Sequence, residues 1–249
     1  MQDGLLRIKG ENRRHPDAIA QGLDDEYDYT SGIVTTYGTF HTQYGLIEGR
    51  FKGPGVRGSW LAFWTLQDGW PPEIDILEIP YSDTGPGYQN TDHHYYLNYT
   101  PPGGGEISFG GYHTGPNKLA DFHSYAVLWT PGHLIFFFNG QRLDDQHRPE
   151  EVGQCQEMHL LINLAIGGWG GEPPTDPADY PYDYEADWVR VSKPRFKVVN
   201  GDFFKKRWCQ DRWRFLALLE MTVGNNMSSR PKGENSICRR LSKRYMDVS

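Results

Sequence analysis

The chain reads as an all-β protein, a two-sheet antiparallel β-sandwich or jelly roll. Strand-like segments recur at roughly 8–12-residue spacing with turn formers between them. Aromatic residues make up 14% of the chain, alongside 29 Gly and 17 Pro. Rings fit the half-buried pleat of a sheet, and Gly and Pro supply its turns. No long stretch keeps a helical period. A chain of 249 residues accommodates one large all-β domain with a short extension, and a core of that size needs no staples.

The strand-like segments follow in order. Residues 5–10 form a short strand that begins abruptly, and residues 11–30 are polar and loop-like. Residues 32–37 and 44–51 combine β-branched and aromatic side chains between glycines. Residues 59–66 are another such run, followed by the turn Asp68-Gly69, and residues 73–79 form a strand closed by Pro80. Residues 93–99 and 107–113 flank a Pro-Pro-Gly-Gly-Gly connection, and residues 125–129 and 134–138 flank Pro131-Gly132. Asn139-Gly140 is a hairpin signal, since both positions tolerate positive φ. Residues 158–166 are nearly all apolar, so periodicity leaves a buried strand and a short helix both open. Residues 187–191 alternate and end before Pro194.

The pattern stops near Lys193, which divides the chain into a domain over residues 1–194 and a basic tail over 195–249 that is not an independent domain. The tail holds 13 Lys/Arg against 5 Asp/Glu, which leaves 12 against 27 before it, a net −15. So acidic a domain argues against nucleic acid and anionic membranes as partners and suits a neutral substrate. Within the tail, residues 208–221 are the one stretch with helical character, and 222–249 read as disordered. The three cysteines, Cys155, Cys209 and Cys238, make no disulfide framework, although Cys209 could pair with Cys238. No apolar run reaches the length of a membrane span, and Met1-Gln2-Asp3-Gly4 does not open a signal peptide.

The chemistry concentrates in Glu73-Ile74-Asp75-Ile76-Leu77-Glu78. Side chains alternate along a strand, so Glu73 and Asp75 share a face while Glu78 falls on the other. One bulged residue at Ile76-Leu77 would return Glu78 to the acidic face. Like charges in a row repel, so such an alignment is costly unless chemistry uses it. Glycoside hydrolysis does: one carboxylate attacks the sugar and another protonates the leaving oxygen. The bland reading is a solvated acidic edge strand, but Ile74, Ile76, Leu77 and Ile79 imply a buried back face.

That segment resembles the E-x-D-x-x-E signature of family 16 glycoside hydrolases, in its bulged, laminarinase-like form. Thr30-Ser31-Gly32, residues 44–50, Gly58-Ser59-Trp60-Leu61-Ala62-Phe63-Trp64, Phe122-His123-Ser124-Tyr125 with Trp129, residues 161–168 and residues 187–191 resemble further blocks of the family, in its order. Leu61 stands where the family usually has Pro, and the family's first strands are missing before Asp3. The resemblance implies a concanavalin-like jelly roll with an open substrate cleft. It implies Glu73 as nucleophile, Glu78 as acid/base and Asp75 as the group that orients the nucleophile. It makes the expected activity that of a retaining endo-β-glycanase, first on a β-1,3- or mixed-linkage β-glucan. The alternatives are a galactan-specific hydrolase of the same family, a lectin-like carbohydrate-binding protein and an inactive fragment. A polysaccharide substrate, an extracellular site of action and a monomer are expected on the same grounds.

Aromatic rings stack on sugar faces, so Trp60, Trp64, Trp70 and Trp169 are candidate substrate-binding residues, each with core packing as the competing role. His94 and Asn98 lie in the segment after the acidic strand and could meet the sugar or Glu73. His123 and Trp129 read as structural. His93 and His94 point to opposite sides of a strand, and no zinc-ligand spacing is present, so no metal is assigned. No cofactor is required. Some relatives hold a structural calcium ion, whose ligands nothing in this sequence identifies.

Overall fold

The computed structural model describes residues 3–20, 28–82, 85–199, 202–211 and 222–224. The strands are β1 (Leu6–Gly10), β2 (Ser31–Thr35), β3 (Gly45–Lys52), β4 (Ser59–Leu66), β5 (Glu73–Tyr81), β6 (Asp92–Tyr99) and β7 (Ile107–Thr114). Then come β8 (His123–Thr130), β9 (His133–Phe138), β10 (Gln141–His147), β11 (His159–Ile166), β12 (Tyr182–Val199), β13 (Asp202–Asp211) and β14 (Thr222–Gly224). Two short helices, α1 (Pro16–Ala20) and α2 (Pro149–Val152), complete the regular structure, with 3-10 turns at Gly168–Gly170 and Pro177–Asp179. Among the described residues no helix is long and apolar enough to cross a membrane.

Two antiparallel sheets form. The first runs β1-β12-β3-β8-β9-β10, with β13 also paired to β12; the second runs β14-β2-β11-β4-β5-β6-β7. The sandwich read from the strand spacing is therefore the architecture observed. The stretch left open between strand and helix is β11, the strand between β2 and β4. That placement answers its composition: a central strand covered on both faces needs apolar side chains throughout. Asn139 and Gly140 carry φ of 47° and 76° and join β9 to β10, as the dipeptide requires.

The inner faces meet in one core. From the first sheet come Ile47, Phe51, Tyr125, Val127, Trp129, Leu134 and Phe136; from the second, Leu61, Phe63, Ile74, Leu77, Leu97, Leu160 and Ile162. Each such side chain contributes about 1.5–3 kcal/mol on burial. The sheets differ on their outer faces. β3 alternates buried and half-exposed residues, the mark of a sheet with one wet face. β4 is buried at every position, and β5 at all but the last. Something besides the main core covers their second face. Part of it is a satellite cluster of Ile33, Ala62, Trp64, Leu66 and Leu161, with Trp70 packed against it.

Beyond residue 193 the chain departs from the sequence reading. β12 continues to Val199, and Trp208 through Asp211 lie in β13 rather than a helix. Residues 222–224 form β14 against β2. Residues 212–221 and 225–249, and Cys238 with them, lie outside the described residues.

Candidate active site

The acidic residues are aligned by a register shift. Asp75 pairs with Tyr96 of β6 and Glu78 with His94, so three steps on β5 match two on β6. On the other side Phe63 of β4 pairs with Leu77 and Trp64 with Asp75. The extra residue is a bulge at Ile76-Leu77, where the sequence places it. Both bulged side chains enter the core, with Ile76 1% and Leu77 0% exposed. Their burial holds the bulge closed, and Glu78 turns back to the face of Glu73 and Asp75.

All three carboxylates face away from the main core, yet only 3–5% of their surface is exposed. Their neighbours on β6 and β4 supply specific donors. The Asn98 amide nitrogen donates to Glu73 Oε1 at 2.7 Å and to Asp75 Oδ2 at 2.8 Å. The Ser108 hydroxyl on β7 donates to Asn98 Oδ1, which fixes the amide with its hydrogens toward the acids. Glu78 receives a different donor: the Trp60 indole N–H, at 3.1 Å from Oε1. Two carboxylates thus share one amide, and the third accepts from an indole.

The wall beside Glu78 is aromatic. Trp60 meets Trp169 edge-on at 5.5 Å, and Trp169 lies 5.0 Å from His94 and 5.8 Å from Tyr88. The Trp169 indole donates to the Tyr88 hydroxyl at 2.9 Å. The 3-10 turn that presents Trp169 packs tightly on β4: a Cβ on Gly170 would lie 2.7 Å from the Ser59 carbonyl oxygen. Only glycine permits that approach.

His94 is locked as a neutral ring. Its Nε2 faces the Gly87 carbonyl, which can only accept, so Nε2 carries the hydrogen. Nδ1 then accepts from the Tyr96 hydroxyl at 3.0 Å. Burial lowers the His94 pKa, against the raising effects of Gly87 and Asp92. Tyr96 is pushed up to about 12, by burial first and then by the Glu78 charge, so it stays protonated. The strand opposite Tyr96 is glycine by necessity, because a Cβ on Gly110 would lie 1.9 Å from the Tyr95 carbonyl oxygen.

The candidate catalytic and substrate-binding residues lie on or beside this face, but not in equal roles. Trp60, Trp169, His94 and Asn98 contact a carboxylate or the aromatic wall. Trp64 is 7% exposed and donates to Asn163 Oδ1 at 2.7 Å, so its polar edge is spent inside the protein. Trp70 is half-buried over the cluster that contains Trp64. His93 points the other way, into the core beside Tyr125 and Phe138. Trp129 is core as read, at 0% exposure. Tyr88, Tyr96 and Ser108 escaped the sequence reading. Strand parity could have found Tyr96, two residues from both His94 and Asn98.

Chemically, the site offers a carboxylate pair bridged by one amide and a third carboxyl group that accepts from an indole. That division suits a nucleophile with its orienting partner and an acid/base set apart from them.

The sequence profile of Glycosyl hydrolases family 16 matches residues 8–190. The Endo-1,3-1,4-beta-glycanase EglC of Rhizobium meliloti (strain 1021) is 34% identical over 198 residues, 75% of this chain and 40% of that protein. The Beta-glucanase of Rhodothermus marinus is 34% identical over 189 residues, 66% of this chain and 62% of that protein. The chain thus spans less than two thirds of the length of either. The catalytic domain of an endo-1,3-beta-glucanase (laminarinase) from Thermotoga petrophila RKU-1 superimposes with a TM-score of 0.62 at 28% identity, over 83% of this chain and 80% of that one.

Proposed function

We propose, since the chain belongs to glycosyl hydrolases family 16, that it is a retaining endo-β-glucanase acting on a β-1,3- or mixed-linkage β-glucan. The observation that carries the proposal is the bulge at Ile76-Leu77, which brings three buried carboxylates to one face with different donors on each side. The names of the relatives above support the choice of β-glucan. A polymeric substrate places the action outside the cell.

In this reading a Glu73 carboxylate oxygen attacks the anomeric carbon. The bond to the leaving oxygen breaks as Glu78 gives that oxygen its proton, leaving a covalent glycosyl–Glu73 ester. Glu78, now a carboxylate, takes a proton from water as the water oxygen attacks the same carbon. Glu73 departs, and the product keeps the original anomeric configuration. Asp75 and Asn98 act as positioning residues: the amide bridging Glu73 and Asp75 fixes the attacking oxygen. The Trp60 indole directs Glu78, and Trp169 offers a ring edge to a sugar. No cofactor takes part in these steps.

Reducing-end release from laminarin, mixed-linkage β-glucan, agarose and carrageenan tests the proposal, with Glu73→Ala beside the parent. Activity on a β-glucan that disappears in the variant supports it. Activity on agarose or carrageenan alone would make it a galactan hydrolase. Binding to any of these polymers without turnover, from folded protein, would make it lectin-like.

A further inference from the structure

We propose that His41, Asp68 and His159 form a binding site for a zinc-like divalent transition metal, separate from the carboxylates. One donor atom from each lies within 4.8 Å of the others. The three come from distant parts of the chain, and backbone pairing brings them together. Thr42 and Met158 exchange hydrogen bonds at 2.9 Å, and Thr36 N donates to the Leu160 carbonyl, which sets the His41 turn against the start of β11. Leu66 pairs with His159, which places Asp68, two residues on, beside the same ring. The His41 and His159 rings lie 5.6 Å apart at 72°, with Tyr37 5.0 Å from His159.

A second observation points to a ligand. His159 is 5% exposed, and its Nδ1 is buried without a hydrogen-bond partner among the described residues. A buried ring nitrogen left unsatisfied is costly, and a metal bound at Nδ1 would satisfy it.

The donor set selects the ion. Two imidazoles and one carboxylate favour zinc and its neighbours over calcium, which prefers oxygen alone. Metal–donor bonds of about 2.0–2.2 Å bring tetrahedral donors to about 3.4 Å apart, so donors that lie within 4.8 Å of one another close by at most about 1.4 Å. His159 is the fixed member. His41 is half-buried and Asp68 exposed, and both can move. The exposed side leaves room for water in the remaining coordination position. Asp68 precedes Trp70 by two residues, so the ion would staple the loop that packs Trp70 against the cluster containing Trp64.

The test uses the full chain after chelator treatment, titrated with ZnCl2 calorimetrically and with CoCl2 by visible absorption. His41→Ala and Asp68→Ala alter surface-accessible members and leave buried His159 in place. His147→Ala controls for another close histidine pair, whose rings stack at 4.3 Å. One ion per chain with micromolar affinity, a four-coordinate cobalt spectrum and a raised Tm are expected. Affinity should drop at least about tenfold in both site variants and stay unchanged in the control. No saturable binding, or binding that survives both site variants or follows His147→Ala, would overturn the proposal.

Discussion

Replacing Asn98 with Ala removes a side chain that contacts two of the carboxylates. Its amide makes two hydrogen bonds to them, at 2.7 and 2.8 Å. Hydrogen bonds to charged groups contribute about 1.5–3 kcal/mol each. Water can enter the space left by the truncation and recover part of that, so the expected loss at the transition state is about one such bond. That corresponds to a fall in kcat of about 10- to 150-fold. KM should change little, because Asn98 is 2% exposed and acts through the acids. Asn98→Asp should be worse than Asn98→Ala, because it sets a third carboxylate against two. Ser108→Ala should be milder than either, since it frees the amide to turn but leaves it in place. The assay is initial rates of reducing-end release across substrate concentration, with near-ultraviolet circular dichroism to confirm packing. A folded Asn98→Ala protein whose kcat stays within about threefold of the parent would refute the reasoning.

Trp60→Phe keeps the ring against Trp169 but removes the indole N–H that donates to Glu78, and kcat should fall by roughly tenfold; steady-state kinetics decides. Deleting Ile76 converts E-x-D-x-x-E to E-x-D-x-E, in which period two still keeps all three acids on one face; the chain should retain activity while losing about 2–5 kcal/mol of stability by denaturant titration, as a buried isoleucine is gone. His93 is held neutral in the fold, its pKa lowered well below 6.5 by burial first and then by Lys118, His113, His94 and His123. Below pH 6.5 the unfolded chain therefore binds the proton that the folded one refuses, and stability falls on acidification by up to about 1.4 kcal/mol per pH unit. His93→Gln should flatten that slope in urea melts taken between pH 6.5 and 4; an unchanged slope would show that the ring titrates freely.

The strands, the acidic segment and its bulge were legible in the chain because each rests on a local period. Alternation places Glu73 with Asp75, and two adjacent apolar residues at Ile76-Leu77 mark where it breaks. The same parity set His93 on the opposite side of its strand from His94. Which partner meets which acid was not legible. Trp60 reaches Glu78 because β4 lies beside β5 in one register, and Asn98 reaches Glu73 because β6 lies on the other side. Trp64 could not be separated from Trp60 by parity, since both share a face. β11, a strand distant in sequence, supplies the Asn163 that ties Trp64 inward. The His41, Asp68 and His159 group was invisible for the same reason, its members lying 27 and 91 residues apart along the chain. Sequence by itself determined what each strand presents to its two faces, because the pleat repeats every second residue. Tertiary structure alone decided what stands opposite, because strand order and register are set by packing across the whole core.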